Sequence, residues 1–232
     1  MTIAIIPARG GSKRIPRKNI RPFCGRPMIS YAIAAAQSAG CFEHIVVSTD
    51  DAEIADVARA CGAEVPFLRT PTLADDHTGT TAVLIDAIRQ LDALSLQADA
   101  YCCIYATVPL IRANDLRDAY HRLQQSDADF AFSVAAFGFP IQRALQLQED
   151  GCITPFWPEN MAKRSQDLTP AYQDAGQFYW GRREAWLNGK SVFGGRGLAQ
   201  VLPRYRVVDI DTEEDWRLAE LLYQALQHHD AG

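Results

Sequence analysis

Between Pro7 and Ile20 the chain reads PARGGSKRIPRKNI, a glycine pair followed by closely spaced arginines and lysines. Gly10 and Gly11 allow a backbone to approach an anion and to turn its N–H groups inward. Arg9, Lys13, Arg17 and Lys18 then carry enough charge to neutralise a triphosphate. The apolar run before the loop, IAIIPA (Ile3–Ala8), reads as a buried strand. The loop therefore leaves a strand's C-terminal end, where open α/β sheets bind ligands. Its pattern is neither GxxxxGK[ST] nor GxGxxG, which argues against an ATPase or a dinucleotide enzyme. A solvated basic turn is the bland alternative, but the position after a strand favours phosphate.

Near the other end, Asp209 and Asp211 stand two apart in YRVVDID (Tyr205–Asp211). Read as a last strand, this segment puts both carboxylates on one face, able to share a hard cation. The rival reading is structural, with Asp211 and Thr212 only beginning the last helix. A triphosphate loop in the same chain favours the metal.

The elements that must position these groups alternate. After the first strand and its loop, Ile29–Ala39 is Ala-rich and helical, and His44–Asp50 is a second buried strand. Asp51–Cys61 has helical spacing and Gly62 as its stop. Glu64–Leu68 reads as a short strand. Thr80–Leu94 is a helix with Val83, Leu84, Ala87, Ile88 and Leu91 on one face. Tyr101–Tyr105 is a strand, Asn114–Gln125 a helix, and Phe130–Ala136 another strand. Gly176–Trp180 returns to strand, and Thr212–Gln227 is the last helix, with Thr212 and Asp215 in capping-box spacing. Continuous apolar strands alternating with helices indicate α/β architecture with a mainly parallel sheet covered on both faces. Residues 137–175 break the rhythm. They are rich in Pro, Gln and turn residues, with a hairpin turning through Glu149–Gly151. This excursion is a candidate for substrate contact or subunit pairing within one domain spanning 1–232.

Composition narrows the function classes. The 232 residues are 48% hydrophobic and 22% charged, ordinary for a soluble globular protein. No apolar run approaches the roughly 20 residues needed to cross a bilayer, and the opening lacks the basic n-region of a signal peptide. The net charge of −5 hides an asymmetry. No acid precedes Glu43, so Arg9, Lys13, Arg14, Arg17, Lys18, Arg21 and Arg26 give the first 42 residues +7. The remaining 16 basic and 28 acidic residues give the rest −12. A local anion site fits this better than a nucleic-acid surface, which presents a wider basic face. Six cysteines are scattered without metal-ligand spacing, as expected of free thiols in the cytoplasm. Cys102 and Cys103 are adjacent in a strand and should point to opposite faces.

Taken together, these segments resemble a known family. IIPARGGSKRIPRKNI is similar to the nucleotide-binding signature of the CMP-sugar synthetases, the sialic-acid cytidylyltransferase group. The similarity runs on through VSTDD (Val47–Asp51), FLRTPTLADDHTGTTAV (Phe67–Val83), RSQDL (Arg164–Leu168), DAGQFYWG (Asp174–Gly181) and DIDTEEDW (Asp209–Trp216). Where sialic-acid members resemble one another in a QPTSPL-like strand end and a NGAIY-like later strand, this chain has YATVPL (Tyr105–Leu110) and AGQFYW (Ala175–Trp180). With FPIQRAL (Phe139–Leu145) and FWPEN (Phe156–Asn160), these departures resemble the pseudaminic acid branch.

The resemblance implies a three-layer α/β sandwich of the nucleotide-diphospho-sugar transferase type. It implies transfer of CMP from CTP to the anomeric hydroxyl of a nine-carbon acidic sugar, with release of pyrophosphate and with Mg2+ as cofactor. The activated sugar would serve surface-glycan or flagellin glycosylation. Arg9, Gly11, Ser12, Lys13 and Asn19 would hold the CTP phosphates and ribose, with Lys18 a further contact. Arg69 and Thr80 match positions that recognise cytosine, and Asp209 and Asp211 match metal ligands. Arg9 and Lys13, with the two aspartates, would carry catalysis. Tyr105 stands where the sialic branch has a glutamine, and Arg164, Gln166, Tyr172 and Gln177 are further sugar-site candidates. A homodimer made through the excursion is implied, with Arg143 or Arg164 reaching the neighbour's sugar carboxylate. The proton of the sugar hydroxyl leaves a metal-bound hydroxide and a nearby Asp both open as acceptors. The same chemistry on neuraminic, legionaminic or 3-deoxy-manno-octulosonic acid is the nearest rival. A non-catalytic sugar-nucleotide-binding protein would not need the paired aspartates, and a glycosyltransferase of similar fold would carry its DxD after a mid-chain strand.

Overall fold

The computed structural model describes residues 1–70 and 79–230. Residues 71–78, the middle of the FLRTPTLADDHTGTTAV stretch, therefore lie outside the described residues.

The main sheet has six strands. In chain order the elements are β1 (Thr2–Pro7), a ribbon of β2 (Pro22–Phe23) and β3 (Arg26–Pro27), α1 (Ile29–Ala39), β4 (His44–Ser48), α2 (Ala52–Ala60), α3 (Thr80–Ala93), β5 (Ala100–Ile104), α4 (Ala113–Gln124) and β6 (Phe130–Ala136). The hairpin β7 (Leu145–Leu147) and β8 (Ile153–Pro155) follows, then β9 (Tyr172–Arg182), α5 (Arg183–Leu187), β10 (Gly197–Leu202) and α6 (Glu213–Asp230). The sheet order is β10-β6-β9-β5-β1-β4. β1 runs parallel to β4 and β5, β10 runs parallel to β6, and β9 runs antiparallel between β5 and β6.

Strand alternation divides the core. Ala4 and Ile6 of β1, Cys102 and Ile104 of β5, and Phe178 and Trp180 of β9 pack against α1, α2 and α4. Ile3, Ile5, Tyr101, Cys103 and Tyr179 face the other way, onto α3 and α5. Cys102 and Cys103 therefore do point to opposite faces, and all six cysteines are free thiols. The apolar face expected on α3 is buried at Val83, Leu84, Ala87, Ile88 and Leu91. No helix among the described residues is long and apolar enough to cross a membrane.

A third cluster fixes the site. Ile15, in the middle of the basic loop, is fully buried with Phe23, Met28, Tyr31, Ile210, Trp216 and Ala219. An isoleucine taken wholly out of water contributes about 1.5–3 kcal/mol. The loop is thus anchored to α1 and α6 at its centre, and its charged residues are left on the sheet's C-terminal side.

Three expectations are corrected. Tyr205–Asp211 is not a strand: Arg204–Arg206 forms a 3-10 turn and the chain then runs extended outside the sheet. Two of its carbonyls are taken by side chains instead of a strand neighbour, with Gln177 donating to the Arg206 carbonyl and Lys18 to the Ile210 carbonyl. Glu64–Leu68 makes only isolated parallel bridges to Val46 and Thr49. The last strand is β10, a sheet edge that its half-exposed face leaves without an apolar run. The capping box is present: Asp215 accepts from the Thr212 backbone N–H at 2.8 Å, and Thr212 Oγ1 accepts from the Asp215 N–H at 3.2 Å.

Candidate active site

A cavity of ≈ 580 Å³ opens at the C-terminal ends of β1 and β5. Arg9, Ser12, Lys13, Arg14, Lys18 and Asn19 line it from the basic loop, Arg69 and Thr80 from the second wall, and Tyr105 from the end of β5. Of the expected nucleotide contacts, Gly11 and Arg17 are absent from the lining. Space around the Gly11 α-carbon is open, with nothing within 4 Å of where a β-carbon would stand.

The local structure explains each placement. Asn19 is nearly buried, and its side-chain amide donates to the Arg9 carbonyl at 2.9 Å, tying one arm of the loop to the other. Lys18 Nζ donates to the Ile210 carbonyl at 2.6 Å and lies 3.4 Å from Asp211. Arg14 pairs with Asp211 at 2.7 Å. Arg17, a candidate for phosphate on sequence grounds, turns away to Asp51 and Glu53 and does not line the cavity.

Arg69 is 6% exposed. Its guanidinium donates to the Ser48 carbonyl at 2.5 Å and to Ser48 Oγ at 3.3 Å, which hold it flat behind β4. Burial lowers its pKa, Asp50 and Asp86 oppose that, and Arg9 adds like charge. A second positive group is therefore held, desolvated, beside the loop. Thr80 opens α3, so an exposed helix N-terminus also faces the cavity.

Asp209 and Asp211 keep a common direction although they lie on no strand. Ile210 between them is 1% exposed and anchored in the third cluster, while Asp211 pairs with Arg14 and Lys18 and the same two cations act on Asp209. Burial and then the neighbouring Asp211 charge raise the Asp209 pKa, while Lys18 and Arg14 lower it. Among the described residues no group of three or more His, Cys, Asp or Glu side chains is placed to hold a metal. The donor set is a pair of hard carboxylates. That suits magnesium, which keeps several waters and takes one or two carboxylates together with substrate phosphates.

The expected sugar contacts do not gather here within one chain. Only Tyr105 reaches the cavity, with its hydroxyl 3.4 Å from Thr80 Oγ1. Gln177 is 3% exposed; its amide N–H donates to the Arg206 carbonyl, and its Oε1 is buried without a hydrogen-bond partner. Arg143 donates to Ser165 Oγ and the Lys163 carbonyl, and Arg164 pairs with Asp167 at 2.8 Å. Gln166 lines a ≈ 230 Å³ cavity within the excursion, and Tyr172 is exposed at the start of β9.

A second cavity of ≈ 160 Å³ shares Thr80 and Tyr105 with the first and adds Asp174, Tyr179 and Phe193. The sequence pattern does not single these out, because they converge through a bulge. The β6–β9 register shifts between Phe132 and Val134, and Gly176 turns with φ 61°. Asp174 then accepts from the Gly176 N–H at 3.0 Å and from the Tyr179 hydroxyl at 2.5 Å. The glycine at the turn is the one local signal.

Known proteins of the same kind exist. A cytidylyltransferase family model matches residues 3–206. The chain is 45% identical over 229 residues to a pseudaminic acid cytidylyltransferase of Campylobacter jejuni, covering 99% of this chain and 98% of that one. It is 32% identical to a CMP-N,N'-diacetyllegionaminic acid synthase of Legionella pneumophila, covering 97% of each. The solved structure of a CMP:2-keto-3-deoxy-manno-octonic acid synthetase complexed with CTP superposes with TM-score 0.69 at 18% identity, over 98% of this chain and 99% of that one, a likeness of fold. Its type is that of the nucleotide-diphospho-sugar transferases.

Proposed function

The chain belongs to the cytidylyltransferase family, and on that premise we propose that it transfers CMP from CTP to the anomeric hydroxyl of pseudaminic acid. The observation that carries this reading is the near full-length 45% identity to a pseudaminic acid cytidylyltransferase. The cavity agrees with it in chemistry: cationic groups line it, and two of them, Arg14 and Lys18, meet Asp211 just outside the lining.

In the reaction the anomeric oxygen forms a bond to the α-phosphorus as the bond to the β-phosphate oxygen breaks, and the hydroxyl proton is lost. Arg9, Ser12, Lys13, Lys18 and Asn19, with the Gly11 backbone, bind the phosphates and ribose. Arg9 and Lys13 meet the charge that grows on the phosphoryl oxygens and on departing pyrophosphate. Arg69 and Thr80 read the cytosine edge, for which a planar guanidinium already held flat by Ser48 is suited. Magnesium, when bound by Asp209 and Asp211, supplies further positive charge to the phosphates. Tyr105 faces the sugar.

The protein works as a homodimer in the cytoplasm, with residues 1–232 as one catalytic domain and 137–175 as its dimerisation and substrate excursion. Support for the pairing is the exposed apolar surface there: Phe139 is 86% exposed, Leu147 71%, Ile153 61% and Phe156 54%. Six free cysteines suit a reducing compartment. Arg143 and Arg164 reach the sugar carboxylate of the partner's site.

Pyrophosphate release with CTP and a panel of acids tests the substrate. Pseudaminic acid should be used far better than N-acetylneuraminic, legionaminic or 3-deoxy-manno-octulosonic acid, because a mismatched stereoisomer leaves buried polar groups unpaired. Preference for one of the others would move the chain to that branch while keeping the chemistry.

A further inference from the structure

The basic loop is gripped at both arms by a single turn, residues 49–53, at the end of β4. On the entry arm, the Gly10 N–H donates to Asp50 Oδ1 at 3.0 Å. A β-carbon at Gly10 would stand 2.6 Å from Asp51 Oδ2, so only glycine lets the arm lie this close. On the exit arm, the Arg17 guanidinium forks onto both oxygens of Asp51, at 2.5 and 3.0 Å, and reaches Glu53 at 2.5 Å. Arg17 has φ 56°, a conformation uncommon for a residue with a side chain. Its carbonyl accepts from the Ile20 and Arg21 N–H groups at 3.0 and 2.9 Å. Asp51 is itself fixed, since it caps α2 by accepting from the Ile54 N–H at 3.0 Å. The residues between the two grips include Ser12, Lys13 and Arg14, which line the cavity.

We infer that the Arg17–Asp51 pair is a strut that preorganises the phosphate-binding loop from behind, so that an acidic residue and an arginine that does not line the cavity together raise affinity for the nucleotide. Holding the loop in its bound shape removes an ordering cost that CTP would otherwise meet. The Asp51 carboxyl is held at about 2, first by the Arg17 guanidinium, so the pair stays charged across the working range. The strut rests on the cavity being the CTP site.

The sign of one substitution separates this from a role for Arg17 as a phosphate ligand. Asp51→Asn keeps a helix-capping side chain and removes a negative charge. If Arg17 were a phosphate ligand restrained by Asp51, Asp51→Asn would release it and tighten CTP binding. With a strut, Asp51→Asn and Arg17→Gln both weaken CTP binding about tenfold, and the double variant is no weaker than either single one, since both remove the same contact. The measurement is the Kd for CTP of wild type and the three variants by calorimetry, with thermal melts to establish folding. If Asp51→Asn does not fold, Glu53→Gln is read in its place, since it removes the other carboxylate that Arg17 meets and leaves the α2 cap untouched. Weaker CTP binding is then expected of a strut, and tighter or unchanged binding overturns it. Tighter or unchanged binding in Asp51→Asn, or additive losses in the double variant, would overturn the strut. A folded wild type that does not bind CTP would instead overturn the function proposed above.

Discussion

At the residue scale, the sharpest commitment is the pair Asp209 and Asp211. Each stands near positive charge, Asp211 beside Arg14 and Lys18, so charge neutralisation alone could account for them. Replacement by Asn preserves shape and removes the charge that would hold magnesium. Turnover should fall at least about a hundredfold in either variant, the scale of losing a major electrostatic contribution, with the fold retained by circular dichroism. A folded Asp211→Asn enzyme of normal activity would return this residue to the beginning of α6, where its N–H already meets Asp215. Much of this layer was legible beforehand. Ser12, Lys13, Lys18, Asn19, Arg69 and Thr80 all reach one cavity. Arg17 was not legible, because composition gives a side chain's charge but not the Asp51 behind it.

At the scale of elements, the alternation of β1 and β5, the buried face of α3 and the hairpin after residue 144 follow from period and turn chemistry. The aspartate pair is a different case. It was expected on one face of a strand, and it meets the same two cations, Arg14 and Lys18, on either side of the buried Ile210. Alternating apolar residues look alike whether their backbone partners are strands or the side chains of Lys18 and Gln177. This makes Ile210 testable. Ile210→Ala should cost about 2–5 kcal/mol by leaving a cavity and should also raise the magnesium concentration needed for half-maximal turnover. Denaturant melts and a metal titration check both. Lost stability with an unchanged magnesium requirement would separate the third core cluster from the placement of the carboxylates.

At the scale of the whole molecule, the excursion leaves Phe139, Leu147, Ile153 and Phe156 exposed on a small hairpin and its flanks. Such a face is unstable in water without a partner, and a second copy, related by a two-fold axis, is the simplest. Light scattering at micromolar concentration should give the mass of a dimer. Mixing Asp211→Asn protein with Arg143→Ala protein should restore activity as subunits exchange, because one site in each hybrid is then intact. Lack of recovery in proven heterodimers would confine each site to one chain. The central claim concerns the nucleotide and is reached more directly. With pseudaminic acid and magnesium held constant, pyrophosphate release is measured with CTP, UTP, ATP and GTP in turn. Release should be strong with CTP and weak with the other three, as the proposed reading of the cytosine edge by Arg69 and Thr80 requires. Equal release from all four would contradict a cytidylyltransferase.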